Sequence, residues 1–405
     1  MQEEMFLTTI NALLYAPLLI YTYNKYKSFN QVVLIAFVWF LSAFFSIFYI
    51  QSDIKWISIH KTTFIPFLYL IGVFWLTFWP LIKIRSVRIV IDESKFINKV
   101  CLFVAFVAII PFMENFVQIF MSGNSLVSIS NNYENRDAVN FDARAHMSFI
   151  GSKLNSILLF FQYITPILFF NYLSSKNKKS LLILIGLICA ILNTIIFSFN
   201  LGARGVMVNM SLYVLFLFLL YKNYIEKKYL KFLLIVGSGL SVVLVFVFLY
   251  ISIGRFGDSS YNLIDWIYRY AGESFINFNN DMFYIDNYTY GQNSFSTILS
   301  DEPRNIDKLA NTTGIRAYVF YTYIGDFYMD FGPFGTILII VILSLIFFHF
   351  ARSKKQFNIG CVLIYSLYSM IMLLSTNCFY YINGLVYAFF SLIVGLWYSQ
   401  KLQRK

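Results

Sequence analysis

The chain has little charge. Asp, Glu, Lys and Arg together make up 13% of its 405 residues, whereas soluble domains carry about 25%. Hydrophobic residues make up 59% of the chain, and the mean hydropathy is +0.67. So few charges cannot solvate a globule of this size. The composition therefore excludes a soluble domain and predicts an integral membrane protein.

The chain also lacks the usual signatures of nucleotide and metal sites. It contains no GxxxxGK[ST] loop, no Asp-x-Asp pair and no Cys/His spacing typical of a metal site. Its three histidines, His60, His146 and His349, are scattered along the sequence. These absences predict an activity that uses no cofactor and no metal.

Apolar runs of about 20 residues recur along the chain, which is the length that crosses a bilayer as a helix. We expect one integral membrane domain over residues 1–405 with an all-α polytopic fold. The eleven predicted spans are 5–23, 31–50, 63–82, 97–121, 154–173, 181–199, 206–221, 232–253, 334–350, 359–376 and 380–399.

The charges divide unevenly between the two sides that these spans define. The odd-numbered connectors and the C-terminal tail hold 20 of the 31 Lys and Arg with three acids, which gives a net charge of +17. The other side has a net charge of −6. By the positive-inside rule the first side is cytoplasmic, so we expect the N-terminus outside and the C-terminus inside. Of the four cysteines only Cys378 then lies near the outer surface, and no disulfide is expected.

Two connectors on the outward side are long, 122–153 and 254–333. Ten of the 20 acidic residues fall in the second one. This large outward loop is predicted to contain an amphipathic helix over 261–276 and a helical run over 315–331 that ends at Gly332 and Pro333. At 100° per residue, that run would place Arg316, Tyr323 and Asp330 within roughly 40° of one another. Such a face indicates either an interfacial helix or the lining of a cavity.

The outward arginines are candidates for binding an anion. In the short turn Gly202-Ala203-Arg204-Gly205, Arg204 lies at the N-terminus of a span, where free N–H groups and the helix dipole favour negative charge. A guanidinium group matches phosphate oxygens in a bidentate fork. The alternative for Arg204 is a tight turn with a side chain that reaches the membrane interface. The predicted diphosphate-binding residues are Arg204, Arg255, Arg269 and Arg316.

Tyrosine and tryptophan are frequent in the same loops. Their flat faces suit sugar stacking, and they also suit the membrane interface. We take Tyr270 and Tyr323 as the candidate sugar-binding residues.

Two short segments resemble a known family. The Gly202-Ala203-Arg204-Gly205 turn and the segment YIGDFYMDFGPFG at 323–335, within this topology, resemble the O-antigen and capsule repeat-unit polymerases of the Wzy family. The resemblance implies a glycosyltransferase of the C-type class in the bacterial cytoplasmic membrane. Such enzymes join oligosaccharide repeat units carried on undecaprenyl diphosphate at the outer face. The implied partners are this lipid-linked oligosaccharide, membrane lipid and, as a further candidate, a polysaccharide chain-length regulator. No nucleic acid is implied.

The resemblance also implies roles for the charged residues. The leaving group would be lipid diphosphate, which the outward arginines would stabilise without a metal. A carboxylate would accept the proton of the acceptor hydroxyl. The candidates for this base are Glu273, one helical turn from Arg269, and Asp326. Asp330 shares the helix face with Arg316, but it lies just before the Gly332-Pro333 break, where a cap or structural role is an equal alternative.

Two other functions stay open. An O-antigen ligase shares this architecture, but it is expected to carry a His in the large outward loop, and 254–333 contains none. A flippase for lipid-linked oligosaccharides would have the same partners, but its charges are expected within the helix bundle.

Overall fold

The computed structural model describes residues 2–55, 59–84, 87–121, 147–200, 204–256, 262–299, 304–316, 319–354 and 356–401. In these ranges the regular structure is helical, apart from an isolated β-bridge between Ile89 and Phe357. Six of the helices are long and apolar enough to cross a membrane, or seven if a bent pair counts as one span. The predicted all-helical membrane class is therefore confirmed, while the number of eleven spans stays a prediction.

Fifteen α-helices occur in the described residues. In chain order they are α1 (Gln2–Tyr26), α2 (Gln31–Tyr49), α3 (Phe64–Lys83), α4 (Lys95–Met121), α5 (Phe149–Phe161), α6 (Thr165–Ser174), α7 (Leu181–Asn200), α8 (Arg204–Tyr221), α9 (Lys227–Phe256), α10 (Leu263–Asn280), α11 (Ser296–Leu299), α12 (Ile306–Thr313), α13 (Thr322–Arg352), α14 (Ile359–Leu373) and α15 (Leu385–Lys401).

Three predicted elements differ from the structure. The predicted span 154–173 is the pair α5 and α6, which are bent by 72°. The predicted span 380–399 begins with a short 3₁₀ turn, and its α-helix starts only at Leu385. The predicted helical run over 315–331 was wrong at its start, because α13 begins at Thr322. Arg316 therefore does not lie on that helix, and it shares no helix face with Tyr323 and Asp330.

The break in α13 has a local cause. Gly332 has φ 67° and ψ −174°, a conformation that side chains disfavour. A Cβ atom at this position would lie 2.8 Å from the Tyr288 ring. Pro333 follows and cannot donate a backbone hydrogen bond, while its own carbonyl accepts one from the Tyr69 hydroxyl at 2.8 Å. The break separates the polar segment 322–331 from the long apolar part of the helix.

The chain forms two compact units. Unit 1 contains Met1–Arg88, Ile264–Lys355 and Tyr365–Ala388. Its core includes an aromatic cluster around Trp39, whose ring centroid lies 4.3 Å from that of Phe74, 5.6 Å from Phe275 and 5.7 Å from Tyr323. The Trp39 indole N–H donates to the Met372 carbonyl at 2.8 Å. α10 thus contributes its apolar face to the core of this unit through Phe275.

Unit 2 contains Ile89–Leu263, Gln356–Ile364 and Phe389–Lys405. Within it α4, α5 and α7 are joined by a buried series of side-chain amides. Asn115 donates to Asn193 at 2.9 Å, and Asn193 donates to Asn155 at 2.8 Å. The Asn200 amide donates to the Asn115 carbonyl at 3.1 Å. Such hydrogen bonds supply the interhelical attraction that apolar contacts provide only weakly in lipid.

Candidate active site

The candidate site in unit 1 starts from the close approach of α10 to α2. A Cβ atom on Gly272 would lie 2.4 Å from the Ser46 backbone nitrogen, so a larger residue has no room here. The Ser42 hydroxyl also donates to the Ala271 carbonyl at 2.5 Å. These contacts hold α10 against α2, and the residue that follows, Glu273, is buried.

Glu273 forms an ion pair on one side only. Arg269, one turn earlier on α10, donates through Nε to Glu273 Oε2 at 2.9 Å. The Arg269 guanidinium also lies over the Trp266 ring, 5.2 Å from its centroid. Glu273 itself is 1% exposed, and its second oxygen, Oε1, has no hydrogen-bond partner among the described residues. This buried oxygen therefore keeps its capacity to accept a hydrogen bond.

The environment of Glu273 favours its protonated form. Burial raises the pKa of the Glu273 carboxyl from 4.5 to about 7, although Arg269, Arg316 and the backbone amide of Phe320 each lower it. A carboxyl with a pKa near neutrality exchanges protons readily at physiological pH, which is what general acid–base catalysis requires. Of the two predicted candidates for the base, Glu273 is the one with an oxygen that accepts no hydrogen bond.

Arg316 lies in the segment before α13 and pairs with Asp281. Its Nη2 donates to Asp281 Oδ2, and Asp281 Oδ1 accepts the backbone N–H of Ile59 at 3.1 Å. The side chain of Arg316 is 23% exposed, whereas that of Asp281 is fully buried. Arg316 also lowers the pKa of Glu273, so the two ion pairs belong to one electrostatic cluster.

Asp326 belongs to a different polar group in the same unit. Its Oδ1 accepts from the Asn293 amide at 2.9 Å, and its Oδ2 accepts from the Phe379 backbone N–H at 2.6 Å. The Asn293 carbonyl in turn accepts from Nε and Nη2 of Arg304, at 2.9 and 2.7 Å. Both oxygens of Asp326 are thus occupied by donors that hold the loop. We therefore do not retain Asp326 as a base in the proposed site.

Asp330 organises the turn that carries Asn293. Its Oδ1 accepts from the Thr289 hydroxyl at 2.5 Å and from the backbone N–H groups of Gly291 and Asn293 at 3.1 and 2.9 Å. Its Oδ2 accepts from the Ser294 N–H at 2.8 Å. The carboxylate of Asp330 is fully buried, and its four donors come from the side chain of Thr289 and from three backbone N–H groups. In the structure Asp330 holds the backbone of this turn.

The two candidate sugar-binding tyrosines lie in different surroundings. Tyr270 is half-buried, with its ring centroid 6.0 Å from that of Phe320. Tyr323 is fully buried, and its hydroxyl donates to Thr77 at 2.8 Å. Its ring has no exposed face that a sugar could stack on. Tyr323 acts in the core, and only Tyr270 is retained in the proposed site.

The remaining arginines of the predicted set belong to unit 2. Arg204 is the first residue of α8, and Arg255 lies in the last turn of α9. Their side chains are outside the described residues, as are Gly202 and Ala203 and most of the first long connector. Their predicted role in diphosphate binding therefore stays a prediction.

Three residues of the site could not be singled out from the sequence. Asp281, Asn293 and Arg304 all lie in the irregular part of the large loop, where no helical spacing relates them. Arg304 was one of several outward arginines with nothing to single it out. The local sequence shows only acids and amides near Gly and Tyr. The hydrogen-bond partners of these residues lie 11 to 37 positions away along the chain.

No protein-family model, curated protein or solved structure matches this chain. Over the described residues, no group of three or more His, Cys, Asp or Glu side chains is placed to hold a metal ion. The functional argument therefore rests on the side chains of unit 1.

The raised pKa of Glu273 predicts a specific pH dependence of stability. Between about pH 4.5 and 7 the folded protein keeps a proton that the unfolded chain has lost, so stability falls as the pH rises through this window. A shift of this size corresponds to a penalty of about 3 kcal/mol above pH 7. We expect the melting temperature of the wild type in detergent to fall from pH 5 to pH 8, and that of Glu273→Gln to fall less.

The control is Asp265→Asn, which removes a half-exposed carboxylate from the same helix and should keep the wild-type pH dependence. Parallel curves for wild type and Glu273→Gln would contradict the assigned protonation behaviour.

Proposed function

We propose that this protein is a polymerase of lipid-linked oligosaccharide repeat units. It would act at the outer face of the bacterial cytoplasmic membrane and build a surface polysaccharide, either O-antigen or capsule. The observation that carries the proposal is the buried Glu273 carboxyl, which has one free oxygen and a pKa of about 7 and lies beside the Arg269 and Arg316 ion pairs. The resemblance of 323–335 to the repeat-unit polymerases supports the same assignment.

The reaction follows from these groups. A hydroxyl of the acceptor unit attacks the anomeric carbon of the donor, and a new C–O bond forms as the bond to the phosphate oxygen breaks. The lipid diphosphate leaves with the electron pair, and Glu273 Oε1 accepts the hydroxyl proton. Tyr270 would contact a sugar of the acceptor. The increased negative charge on the leaving group would be stabilised by guanidinium groups.

The arginines differ in how their charge is used. Arg269 and Arg316 each pair directly with a buried carboxylate. Arg304 instead donates two N–H groups to the neutral amide of Asn293, and no carboxylate among the described residues lies within ion-pair distance of it. A guanidinium has five N–H donors, so Arg304 keeps donors for a ligand. We propose Arg304 as a diphosphate-binding residue of unit 1.

The membrane arrangement belongs to the same proposal. We propose eleven spans, with the N-terminus outside and the C-terminus in the cytoplasm, so that the large loop and Glu273 face outward. The charge difference of +17 against −6 supports this orientation.

Gene deletion and complementation test the activity. Surface polysaccharide from the deletion strain should contain a single repeat unit. Long unligated chains would instead indicate a ligase, and loss of all outward units would indicate a flippase.

Complementation with Glu273→Gln should slow polymerisation by at least about 100-fold, because general base catalysis typically contributes that much. Asp265→Asn should restore long chains. Normal chains from Glu273→Gln, at equal protein level, would exclude Glu273 as the base.

Substitution of Arg304 tests the diphosphate assignment. We expect Arg304→Gln to lower the polymerisation rate in membranes by about 100-fold, as for loss of a transition-state donor. Arg304→Lys should recover little, since it keeps the charge and loses the planar fork. The matched control is Lys308→Gln, which removes a nearby exposed cation. Equal rates for Arg304→Gln and Lys308→Gln would assign Arg304 to loop structure alone.

Cysteine labelling tests the orientation. Gln292 and Ser353 are both exposed in the structure. A cysteine at position 292 should react in intact cells with a membrane-impermeant thiol reagent, and one at position 353 should react only after permeabilisation. The wild type, with its four native cysteines, gives the background. The reverse pattern would place Glu273 on the cytoplasmic side and remove the proposed reaction.

A further inference from the structure

An open groove runs between α1 and α3 in unit 1. Its volume is about 690 Å³, within the range of roughly 300–1,000 Å³ found for ligand sites. Leu14 and Leu68 line one end, Gly72 and Trp75 the middle, and Trp79 and Lys83 the other end. None of these residues takes part in the candidate active site.

The middle of the groove is shaped by a missing side chain. A Cβ atom on Gly72 would have no atom within 4 Å, so the glycine leaves open space rather than allowing close helix contact. Leu68 and Trp75 are each 44% exposed on α3. Pro17 lies inside α1 on the opposite wall. The groove is therefore apolar along its length and open to an apolar chain.

One end of the groove is basic. Lys83 lines it directly, and the Lys25 ammonium donates to the Ile82 carbonyl at 2.5 Å, which places both lysines at the same ends of α1 and α3. No carboxylate among the described residues lies within ion-pair distance of either ammonium group. Each ammonium has three donors, so both keep donors for an anion. Trp79 adjoins them, as tryptophan does at the level of lipid headgroups.

We infer that this groove binds an anionic phospholipid from the leaflet at the Lys83 end. One acyl chain lies over Gly72 between Leu14 and Leu68, and the phosphate contacts Lys83 and Lys25. From Leu68 to Lys83 the helix rises by roughly 22 Å, which exceeds the roughly 15 Å of one leaflet's hydrocarbon. A single acyl chain therefore fits the length of the groove. This inference is independent of the proposed catalytic function.

Charge selects this occupant over the alternatives. A zwitterionic phospholipid presents the same phosphate but adds a cationic group beside the two ammonium groups, so its net charge does not balance theirs. A second copy of the chain would bring its own lysines to the same end if the contact were symmetric, and like charges would repel. An anionic headgroup satisfies both the apolar and the basic parts of the groove.

Native mass spectrometry of the full-length protein in detergent tests the inference. The probes are phosphatidylglycerol and phosphatidylcholine with the same acyl chains, added at equal concentration. We expect the wild type to retain one phosphatidylglycerol at least 10-fold more strongly than phosphatidylcholine. Gly72→Phe should abolish this preference because the ring fills the open space. Lys83→Gln should reduce it several-fold.

Matched controls separate the groove from general effects. Gly237→Phe adds the same ring at an exposed helical glycine that also has open space around it, and Lys99→Gln removes an exposed lysine outside the groove. Both should behave as the wild type. Equal retention of the two lipids, or unchanged binding in Gly72→Phe, would overturn the inference. A dimer that Gly72→Phe dissociates would also overturn it and assign the groove to self-association.

Discussion

The contact between α10 and α2 at Gly272 is the constraint on which the rest of unit 1 depends. Since a Cβ atom there would lie 2.4 Å from the Ser46 nitrogen, the two backbones meet with no side chain between them. That approach brings Phe275 against Trp39 and removes Glu273 from water at the same time. The stability of the aromatic cluster and the unusual protonation of the carboxyl therefore share one cause.

Buried acids in this unit serve two different purposes. Asp330 accepts four hydrogen bonds, three of them from backbone N–H groups, and Asp326 accepts two. These bonds hold an irregular loop that has no regular secondary structure to support it. Glu273 keeps one oxygen that accepts no hydrogen bond, and burial raises the pKa of its carboxyl. Buried carboxylates thus fix the loop at Asp326 and Asp330, whereas the buried carboxyl of Glu273 is the proposed proton acceptor.

Hydropathy predicted most of the helices, because lipid requires each backbone to satisfy its own hydrogen bonds. The α10 helix was predicted at 261–276 and occurs at Leu263–Asn280. The bend between α5 and α6 has a local signal, because Pro166 lies in the first turn of α6 and interrupts the predicted span. The late start of α13 was not predictable from spacing, since the Thr322 N–H donates to the distant Asn377 carbonyl. Local spacing on α10 related Glu273 to Arg269. It could not relate Arg316 to Asp281 or Arg304 to Asn293, because these pairs form only when the loop folds.

In unit 2 two hydrogen bonds link the side-chain amides of Asn115, Asn193 and Asn155, and these three residues are not equivalent. Asn193 accepts from Asn115 and donates to Asn155, so it alone takes part in two of the side-chain links. Replacing it by an apolar residue would leave a donor on one helix and an acceptor on another unsatisfied in an apolar interior, each at a cost of about 1–3 kcal/mol. Replacing a terminal member would break a single side-chain link. Sequence variation in these spans should therefore be least tolerated at the central asparagine.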